Sequence, residues 1–208
     1  MLLSSPLCEG EVADTLDAVL VETSVKQIVP VERMASPVSV VNMKDLEDRG
    51  IDSPKKLSAV VPNLYIPDYG SSMTSSIYLR GFGSRMENPV LGLYVDDVPV
   101  LNKNAYDMDM LDIRRADLIR GPQGTLYGRN SMCGVLSLST LSPSVYNGVR
   151  ASVEYGSANT VAAKVSAYGK TEGGLAVGGV VGYRHSDGFY TNEYDGGRCD
   201  RYDGLSMR

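Results

Sequence analysis

A glycine-rich stretch with apolar ends constrains the fold of this chain more than any other feature. It runs from Asp117 to Thr140 and reads DLIRGPQGTLYGRNSMCGVLSLST. Because a glycine inside a helix costs about 1 kcal/mol relative to alanine, we expect no helix in the middle of this stretch. We predict two strands, at 118–119 and 135–138, joined by a turn that depends on glycine, although an ordinary hairpin with a long loop fits the composition equally well. The residues that interrupt the middle are Gly121, Pro122, Gly124, Gly128 and Gly134.

Composition favours a folded, β-rich protein. Of the 208 residues, 43% are hydrophobic, which is enough to bury a core. The 13 tyrosines and 22 glycines, with two phenylalanines and no tryptophan, favour strands over a helical bundle. The net charge is -5 and no basic patch stands out, so we expect no nucleic-acid partner.

The sequence shows no catalytic or metal-binding pattern. Cys8, Cys133 and Cys199 are widely spaced, so neither a metal cluster nor a disulfide framework follows from them, and Cys133 is predicted to be a buried hydrophobic residue. His185 is the only histidine, which leaves any serine or cysteine nucleophile without a nearby base. Asp96-Asp97 fits a hairpin turn better than a pair of catalytic acids. We therefore predict that the protein is not an enzyme and binds no cofactor and no metal.

The N-terminal residues suggest export and a mobile apolar segment. The chain begins with MLLSSPLCEGEVAD, which resembles the tail of a secretory signal peptide without its basic region, so we expect the true start upstream; an ordinary flexible N-terminus is the alternative. The patch DTLDAVLV, at 14–21, can add itself as a strand to the sheet edge of a partner, or pack within this chain as a first strand. No apolar run approaches the roughly 18 to 20 residues that a membrane-spanning helix needs.

Residues 27–141 show short helix and strand signals, as a small α+β domain does. We expect one helix from Asn42, its N-cap, to Arg49 before Gly50, and a second from Ser53 to Val60. The other predicted elements are strands at 38–41, 77–81, 91–95 and 98–101, a helical turn at 107–113, and polar loops at 69–76, 84–89 and 102–106.

After Ser142-Pro143 apolar residues alternate with small or polar ones. Segments of about ten residues near 149–155, 161–168 and 175–184 have this period of two. Strands of outer-membrane barrels show the pattern, and a soluble β-meander shares it. Because about four strands cannot close a barrel, we expect an incomplete one.

Several segments together resemble one family. IRGPQGTLYGRN (119–130), followed by Gly134-Val135-Leu136, closely resembles the signature of the plug domain of TonB-dependent outer-membrane receptors. The segments PNLYI (62–66), LYVDDVPV (93–100) and, more loosely, HSDGFYTNEYDG (185–196) are similar to the same family. The resemblance implies an α+β fold, in which a small mixed-sheet plug domain precedes the start of an antiparallel transmembrane β-barrel, incomplete in this chain. The implied domains are a signal remnant and TonB-box segment (1–24), the plug (25–142) and the first barrel strands (143–208).

The resemblance also implies a function. Receptors of this family lie in the outer membrane of Gram-negative bacteria, with the plug inside a barrel of about 22 strands and the N-terminus in the periplasm. They bind a scarce nutrient such as a ferric siderophore, haem or cobalamin, and import it with energy from TonB. The implied partners are TonB, a small nutrient and membrane lipid, and we expect a monomer. The alternative from another class is a soluble β-rich binding or adhesion module without transport activity.

Two sets of residues with a coupling or locking role follow from the resemblance. Residues of the TonB-box segment would bind TonB as an added strand, and we expect this segment to be disordered in the free protein. Arg80 and Arg120 each follow an apolar strand residue and precede a glycine; the family implies that they sit side by side and lock the plug to glutamates of the barrel. In this chain we expect both to be unpaired or loosely solvated, and side chains that simply reach solvent are the alternative. The TonB-binding residues are Asp14, Thr15, Leu16, Val19 and Val21.

The three polar loops match the plug apices of the family, where an extracellular ligand would bind. The residues predicted to face it are Tyr69, Met73, Arg85, Asn102 and Tyr106.

Overall fold

Many short elements surround two longer strands in the first two thirds of the chain. The structure is a computed structural model, and it describes residues 20–23, 27–30, 36–67, 69, 76–83, 88–171, 173–194 and 196–208. Within these ranges the strands are β1 (Leu20–Thr23), β2 (Gln27–Pro30), β3 (Val38–Asn42), β4 (Leu64–Tyr65), β5 (Tyr78–Leu79), β6 (Phe82–Gly83), β7 (Leu91–Val95), β8 (Val98–Val100), β9 (Ile113–Arg120), β10 (Gly134–Thr140), β11 (Gly148–Gly156), β12 (Thr160–Lys170), β13 (Ala176–Ser186) and β14 (Tyr202–Met207). The helices are α1 (Met43–Asp48) and α2 (Gly124–Tyr127), with 3-10 turns at Lys56–Ala59 and Lys103–Ala105.

β9 and β10 form the middle of a five-stranded mixed sheet, here called the central sheet. Its strand order is β3-β9-β10-β7-β8, and β10 runs antiparallel to β9 and parallel to β7. Leu118, Leu136 and Leu138 are almost fully buried and pack into one core with residues of β7 and α1. The two strands predicted around the glycine-rich turn are confirmed, and they place this turn at the end of β9.

Turns in this part follow the predictions in some places and depart from them in others. The hairpin around Asp96-Asp97 is confirmed, since both residues have positive φ (+47° and +66°), as a tight two-residue turn requires. The glycine-rich turn contains one helical turn, α2, which the glycine content did not predict. Gly128, with φ of +76°, ends it.

The predicted helices are shorter than expected. α1 begins after Asn42, whose side chain makes no capping hydrogen bond, and Gly50 follows its end with φ of +60°. The second predicted helix is only a 3-10 turn at Lys56–Ala59. No helix in the described part of the chain is long and apolar enough to cross a membrane.

The predicted helical turn at 107–113 is wrong. A 3-10 turn lies earlier instead, at Lys103–Ala105, where the Asn102 side chain accepts a hydrogen bond from the Asn104 N–H at 2.9 Å. The segment 107–112 has an irregular path, and within it the Met110 N–H donates to the Asp52 carbonyl at 2.8 Å. This bond ties the segment to the end of α1.

β11 to β14 form a four-stranded antiparallel sheet, here called the outer sheet. Its predicted alternation is confirmed: Lys164 and Tyr168 point toward the central sheet, where they contact Asp112. Residues of the other row, such as Val149 and Val177, are 71% and 62% exposed. The outer sheet therefore packs one face on the rest of the chain and leaves an apolar face uncovered.

Candidate functional site

The central and outer sheets meet along a row of opposite charges. Four acidic residues on the central-sheet side face three basic residues on the inner face of the outer sheet. Two of the acids lie in the segment before β9, and the other two lie at α1 and just after it. We call these four the acid seam: Glu47, Asp52, Asp109 and Asp112.

Asp112 is the buried centre of the acid seam. Its side chain is fully buried, the Tyr168 hydroxyl donates to its Oδ2 at 2.9 Å, and the Lys164 Nζ lies 3.0 Å from its Oδ1. Burial raises the pKa of this carboxyl, but hydrogen bonds with Ser166, Lys164 and Tyr168 together outweigh burial, so the pKa lies below its ordinary value of 3.8. Asp112 therefore stays ionised at neutral pH, and all three of these residues belong to β12.

Arg184 of β13 joins two other acids of the seam. Its guanidinium lies 2.8 Å from Asp52 Oδ2 and 3.5 Å from Asp109 Oδ1. The Ser206 hydroxyl of β14 donates to the Asp109 carboxylate as well. Because Arg184 is 29% exposed and Asp109 22%, solvent screens these pairs more than the one at Asp112.

Glu47 forms the exposed end of the seam. Arg150 of β11 donates to its Oε1 at 2.7 Å, and the two side chains are 31% and 47% exposed. An ion pair as open to water as this one contributes little to stability. It does show that β11 is the strand of the outer sheet that contacts α1 at Glu47.

A close apolar contact and a small cavity complete the interface. A Cβ on Gly182 would lie 2.8 Å from Leu111 Cδ2, so a larger residue here would require the Leu111 side chain to shift. Beside it lies a cavity of about 100 Å³, lined by residues of both sheets that include Asp52, Lys164 and Arg184.

The depressed pKa of Asp112 makes the seam sensitive to acid. Its stabilising effect is fully present above pH 3.8 and is lost as the pH falls through the lower value of the folded state. We expect Asp112→Asn to lower the free energy of unfolding at neutral pH by about 1.5–3 kcal/mol, and the deficit to shrink in strong acid. Urea unfolding of both proteins at several pH values measures this, and a deficit that does not vary with pH would contradict it.

Arg120, at the end of β9, is buried and only partly satisfied. It is 7% exposed, and its Nη2 donates to Ser39 Oγ at 2.7 Å and to the Pro62 carbonyl at 3.1 Å. Arg120 is therefore buried rather than loosely solvated, and no carboxylate among the described residues forms an ion pair with it. Its Nε, however, is buried and has no hydrogen-bond partner among the described residues.

Arg80 lies close enough to affect Arg120. Burial first, and the positive charge of Arg80 second, lower the pKa of the Arg120 guanidinium. Arg80 itself is exposed and has a positive φ of +53°. Guanidinium groups are donors only, so this pair of cations is suited to carboxylate partners.

A model of the family described as TonB-dependent Receptor Plug Domain matches residues 30–135. The chain belongs to this family. Its members are transport receptors rather than enzymes. These receptors lie in the outer membrane of Gram-negative bacteria, with the plug inside the barrel. The match falls within the predicted plug, 25–142, and the predicted domain boundaries stay predictions.

Relatives and solved structures support the assignment. The chain is 33% identical over 194 residues to the pesticin receptor of Yersinia pestis, covering 89% of this chain and 28% of that protein. It is 32% identical to the structure of the ferric yersiniabactin uptake receptor from Yersinia pestis, with a TM-score of 0.67, covering 83% of this chain and 27% of that one. The ferric-catecholate import receptor from Escherichia coli has a TM-score of 0.69 at 20% identity over 85% of this chain and 25% of that one, which speaks for the fold alone. The chain thus spans less than a third of these relatives.

The structure tests only some of the predicted ligand-facing residues. Tyr69 is 47% exposed and Asn102 is exposed, whereas Met73 and Arg85 lie outside the described residues. Tyr106 is 2% exposed, and its hydroxyl donates to the Leu91 carbonyl at 3.1 Å. The prediction that Tyr106 faces a ligand is wrong, because its ring belongs to the plug core.

Most of the predicted TonB-binding segment lies outside the described residues. This holds for Asp14, Thr15, Leu16 and Val19. Val21 lies in β1, which pairs antiparallel with β2 and places Val21 opposite Val29. The expected disorder is therefore wrong for 20–21, whose backbone forms a strand within this chain.

Sequence reasoning missed the acid seam. The partners Asp112 and Lys164 lie far apart along the chain and belong to different sheets, so no local pattern joins them. The available signal was the spacing of Arg150, Lys164 and Arg184 on one side of their strands, which predicts cations on the inner face of a barrel wall. Among the described residues no cluster of histidine, cysteine, aspartate or glutamate is suited to a metal ion.

Proposed function

We propose that this chain is part of a receptor that binds a ferric siderophore and imports it across the outer membrane with energy from TonB. The observation that carries the proposal is the 32–33% identity, over most of this chain, to the pesticin receptor and the ferric yersiniabactin uptake receptor of Yersinia pestis. Ferric yersiniabactin is therefore the first ligand to test. Haem, cobalamin and other small nutrients are the further candidates within the family.

The exposed face of the outer sheet supports a membrane receptor over a soluble binding module. Val149, Val153 and Val177 are 71%, 76% and 62% exposed. Leu205 and Met207 are 61% and 69% exposed. A contiguous apolar face of this size is rare on a soluble monomer and is typical of strands that contact lipid. We assign this face to contact with the outer membrane, and we propose that the receptor is a monomer.

Arg80 and Arg120 are assigned to the lock between plug and barrel. The buried Nε of Arg120 and the second cation beside it support this role, because such a pair attracts carboxylates. Their partners would be acidic residues of barrel strands other than β11–β14. The ligand site, in turn, is assigned to the loops that contain Tyr69, Met73, Arg85 and Asn102.

The segment 14–21 is assigned to TonB binding by strand addition. We expect Val19→Pro to abolish TonB-dependent uptake of ⁵⁵Fe-yersiniabactin by cells that carry the full-length receptor, because proline removes a backbone donor and fixes φ. Binding of the same ligand to the cell surface should persist, since the loops are untouched. Val19→Leu, which keeps the backbone donor, should transport normally.

Two outcomes would overturn the coupling role and the import function separately. Loss of binding together with uptake in Val19→Pro would mean that the segment serves ligand binding or folding rather than coupling. Absence of uptake by the unmodified receptor, with ferric yersiniabactin and with the other family nutrients, would contradict import itself.

A further inference from the structure

We propose that the loop between β13 and β14 supplies the barrel's part of the ligand site, and that its exposed aromatic rings select iron chelates that themselves carry aromatic rings. We call this loop, residues 187–201, the aromatic hairpin. Its exposed rings are those of Phe189, Tyr190 and Tyr194, at 64%, 72% and 98% exposure. The proposal rests on the proposed transport function and deepens it, because it names the chemical class of the ligand.

The aromatic hairpin lies on the extracellular side of the outer sheet. The Asp187 N–H, at its start, donates to the carbonyl of Ala158, in the turn between β11 and β12, at 3.0 Å. These two connections are therefore at one end of the sheet, and the much shorter turn 171–175 is at the other. Because barrel strands are joined by short periplasmic turns and longer extracellular loops, the end with the aromatic hairpin faces outward.

The base of the aromatic hairpin adjoins a plug loop that is assigned to the ligand. Asp109 follows the loop 102–106 by three residues, a length of chain that spans at most about 11 Å. Asp109 lies 3.5 Å from Arg184, near the end of β13, and accepts a hydrogen bond from Ser206 of β14. These are the two strands that carry the aromatic hairpin. The loop that contains Asn102 is thus anchored close to the base of the hairpin, and one ligand can contact both.

Hydrogen bonds to a single carboxylate fix the backbone that carries the first two rings. Asp200 accepts the N–H groups of Phe189 and Tyr190, each at 2.9 Å. Gly188 packs against Asp200 with φ of +83°, and a Cβ on it would lie 2.8 Å from the Asp200 backbone carbon. The Gly188 carbonyl in turn accepts a hydrogen bond from Arg198 at 2.7 Å. The backbone at 188–190 is therefore held in one conformation.

The tip of the aromatic hairpin is bonded as well. The Tyr194 N–H donates to Asn192 Oδ1 at 3.0 Å, and the Asn192 N–H donates to the Gly197 carbonyl at 2.8 Å. A loop that is tied at its base and at its tip loses little conformational freedom when a ligand binds. Tyrosine adds a large contact area with few rotatable bonds, so the hairpin presents rings that are ready for recognition.

The chemistry of exposed rings favours a ligand that also carries rings. Aromatic rings pair in offset-stacked or edge-to-face geometry, and each pair contributes about 2- to 12-fold in affinity beyond the area that it buries. Catecholate and phenolate chelates of iron present such rings on their surface. Hydroxamate and carboxylate chelates bind iron through groups without a ring. The aromatic hairpin is therefore expected to favour the first class over the second.

Binding of ⁵⁵Fe probes to cells that carry the full-length receptor tests this selection. The probes are the ferric complexes of enterobactin, a tricatecholate, of pyochelin, a phenolate, and of desferrioxamine B, a trihydroxamate. We expect at least one ring-bearing chelate to bind more tightly than the trihydroxamate. Phe189→Leu with Tyr190→Leu keeps apolar side chains without rings, so this double variant should bind that chelate about 5- to 50-fold more weakly. Its binding of the trihydroxamate should not change.

Three single variants separate the rings from other effects. Tyr155→Leu removes a tyrosine that is 77% exposed on the lipid-facing row of β11, and it should leave binding unchanged. Asp200→Ala keeps the rings but removes the acceptor that orients them, so it should weaken binding of the ring-bearing chelate. Asp200→Asn keeps one acceptor oxygen and should restore most of this binding. Immunoblots of the outer-membrane fraction check that all receptors are present in equal amounts.

The outcomes separate this inference from the transport function. If the double variant binds every probe as the unmodified receptor does, the rings contact something other than the ligand, such as neighbouring loops of the barrel. If it loses both classes of chelate equally, or if the unmodified receptor prefers the trihydroxamate, the rings do not select rings. Each of these results overturns the inference while import stands. A receptor that binds and imports no iron chelate at all would contradict the transport function, and this inference with it.

Discussion

Gly134→Val is expected to prevent stable folding of the plug, with a loss of about 3 kcal/mol or more in the free energy of unfolding. Gly134 lies opposite Arg120 at the start of β10. A Cβ there would collide with the Ile119 carbonyl oxygen and would lie 2.8 Å from Leu79 Cδ2 and 3.3 Å from Leu91 Cδ1. The nearest of these atoms is backbone in the central strand pair, so it cannot rotate away.

The same glycine-rich segment offers a matched control. Gly124 begins α2, and a Cβ on it would meet no atom within 4 Å. Gly124→Ala should therefore leave stability unchanged or raise it slightly, because alanine favours helix. Urea unfolding followed by circular dichroism compares the two variants. Equal midpoints for Gly134→Val and the unmodified chain would show that the strand pair can separate to admit a side chain, contrary to the packing described.

Local chemistry explains which parts of the fold can be predicted from sequence. The short apolar runs 118–119 and 135–138 flank the glycine-rich turn, and both lie in strands as expected, although β9 begins earlier, at Ile113. The turn at Asp96-Asp97 is likewise a property of two neighbouring residues that tolerate positive φ. In each case the residues that carry the signal are also those that make the contacts, so no knowledge of distant elements is needed.

Tyr106 shows where such reasoning stops. Its loop is polar, which predicts an exposed side chain, yet its ring fills the core and its hydroxyl finds the Leu91 carbonyl. Burial raises the pKa of Tyr106 to about 12, which is the mark of a phenol enclosed by protein. The partner lies in β7, and only the docking of this loop on the central sheet brings the two together.

The arginine pair and the acid seam show the same contrast, since a local sequence pattern indicates the arginines but not the seam. The arginines were found because each repeats an apolar–Arg–Gly pattern at the end of a strand. Asp109 and Asp112 lie in a segment that was predicted as a helical turn, where two acids usually face solvent. Their role depends on cations supplied by the outer sheet, so it emerges only when both sheets are in place.

Arg120→Glu is expected to open the plug of the full-length receptor. Arg120 is buried and donates to the Pro62 carbonyl and to Ser39, and a carboxylate at this position would place an acceptor against the carbonyl. It would also repel the barrel carboxylates assigned to the lock. The combined cost of reversing a buried charge is about 3–5 kcal/mol. Cells that carry this variant should become sensitive to large antibiotics, such as vancomycin, that the unmodified receptor excludes.

Two matched variants separate the lock from a general effect of charge. Arg129→Glu changes an exposed arginine of the same signature segment and should leave the cells resistant. Arg120→Lys keeps the charge but loses the planar fork of donors. Cells that carry it should be less sensitive to the antibiotic than cells with Arg120→Glu and more sensitive than cells with Arg129→Glu. If Arg120→Glu destabilises the 208-residue chain yet leaves cells impermeable and transport normal, Arg120 supports only the packing around β3. The residues that lock the plug to the barrel must then lie elsewhere. If Arg120 were part of the lock, loss of its buried cation would let large antibiotics pass through the receptor.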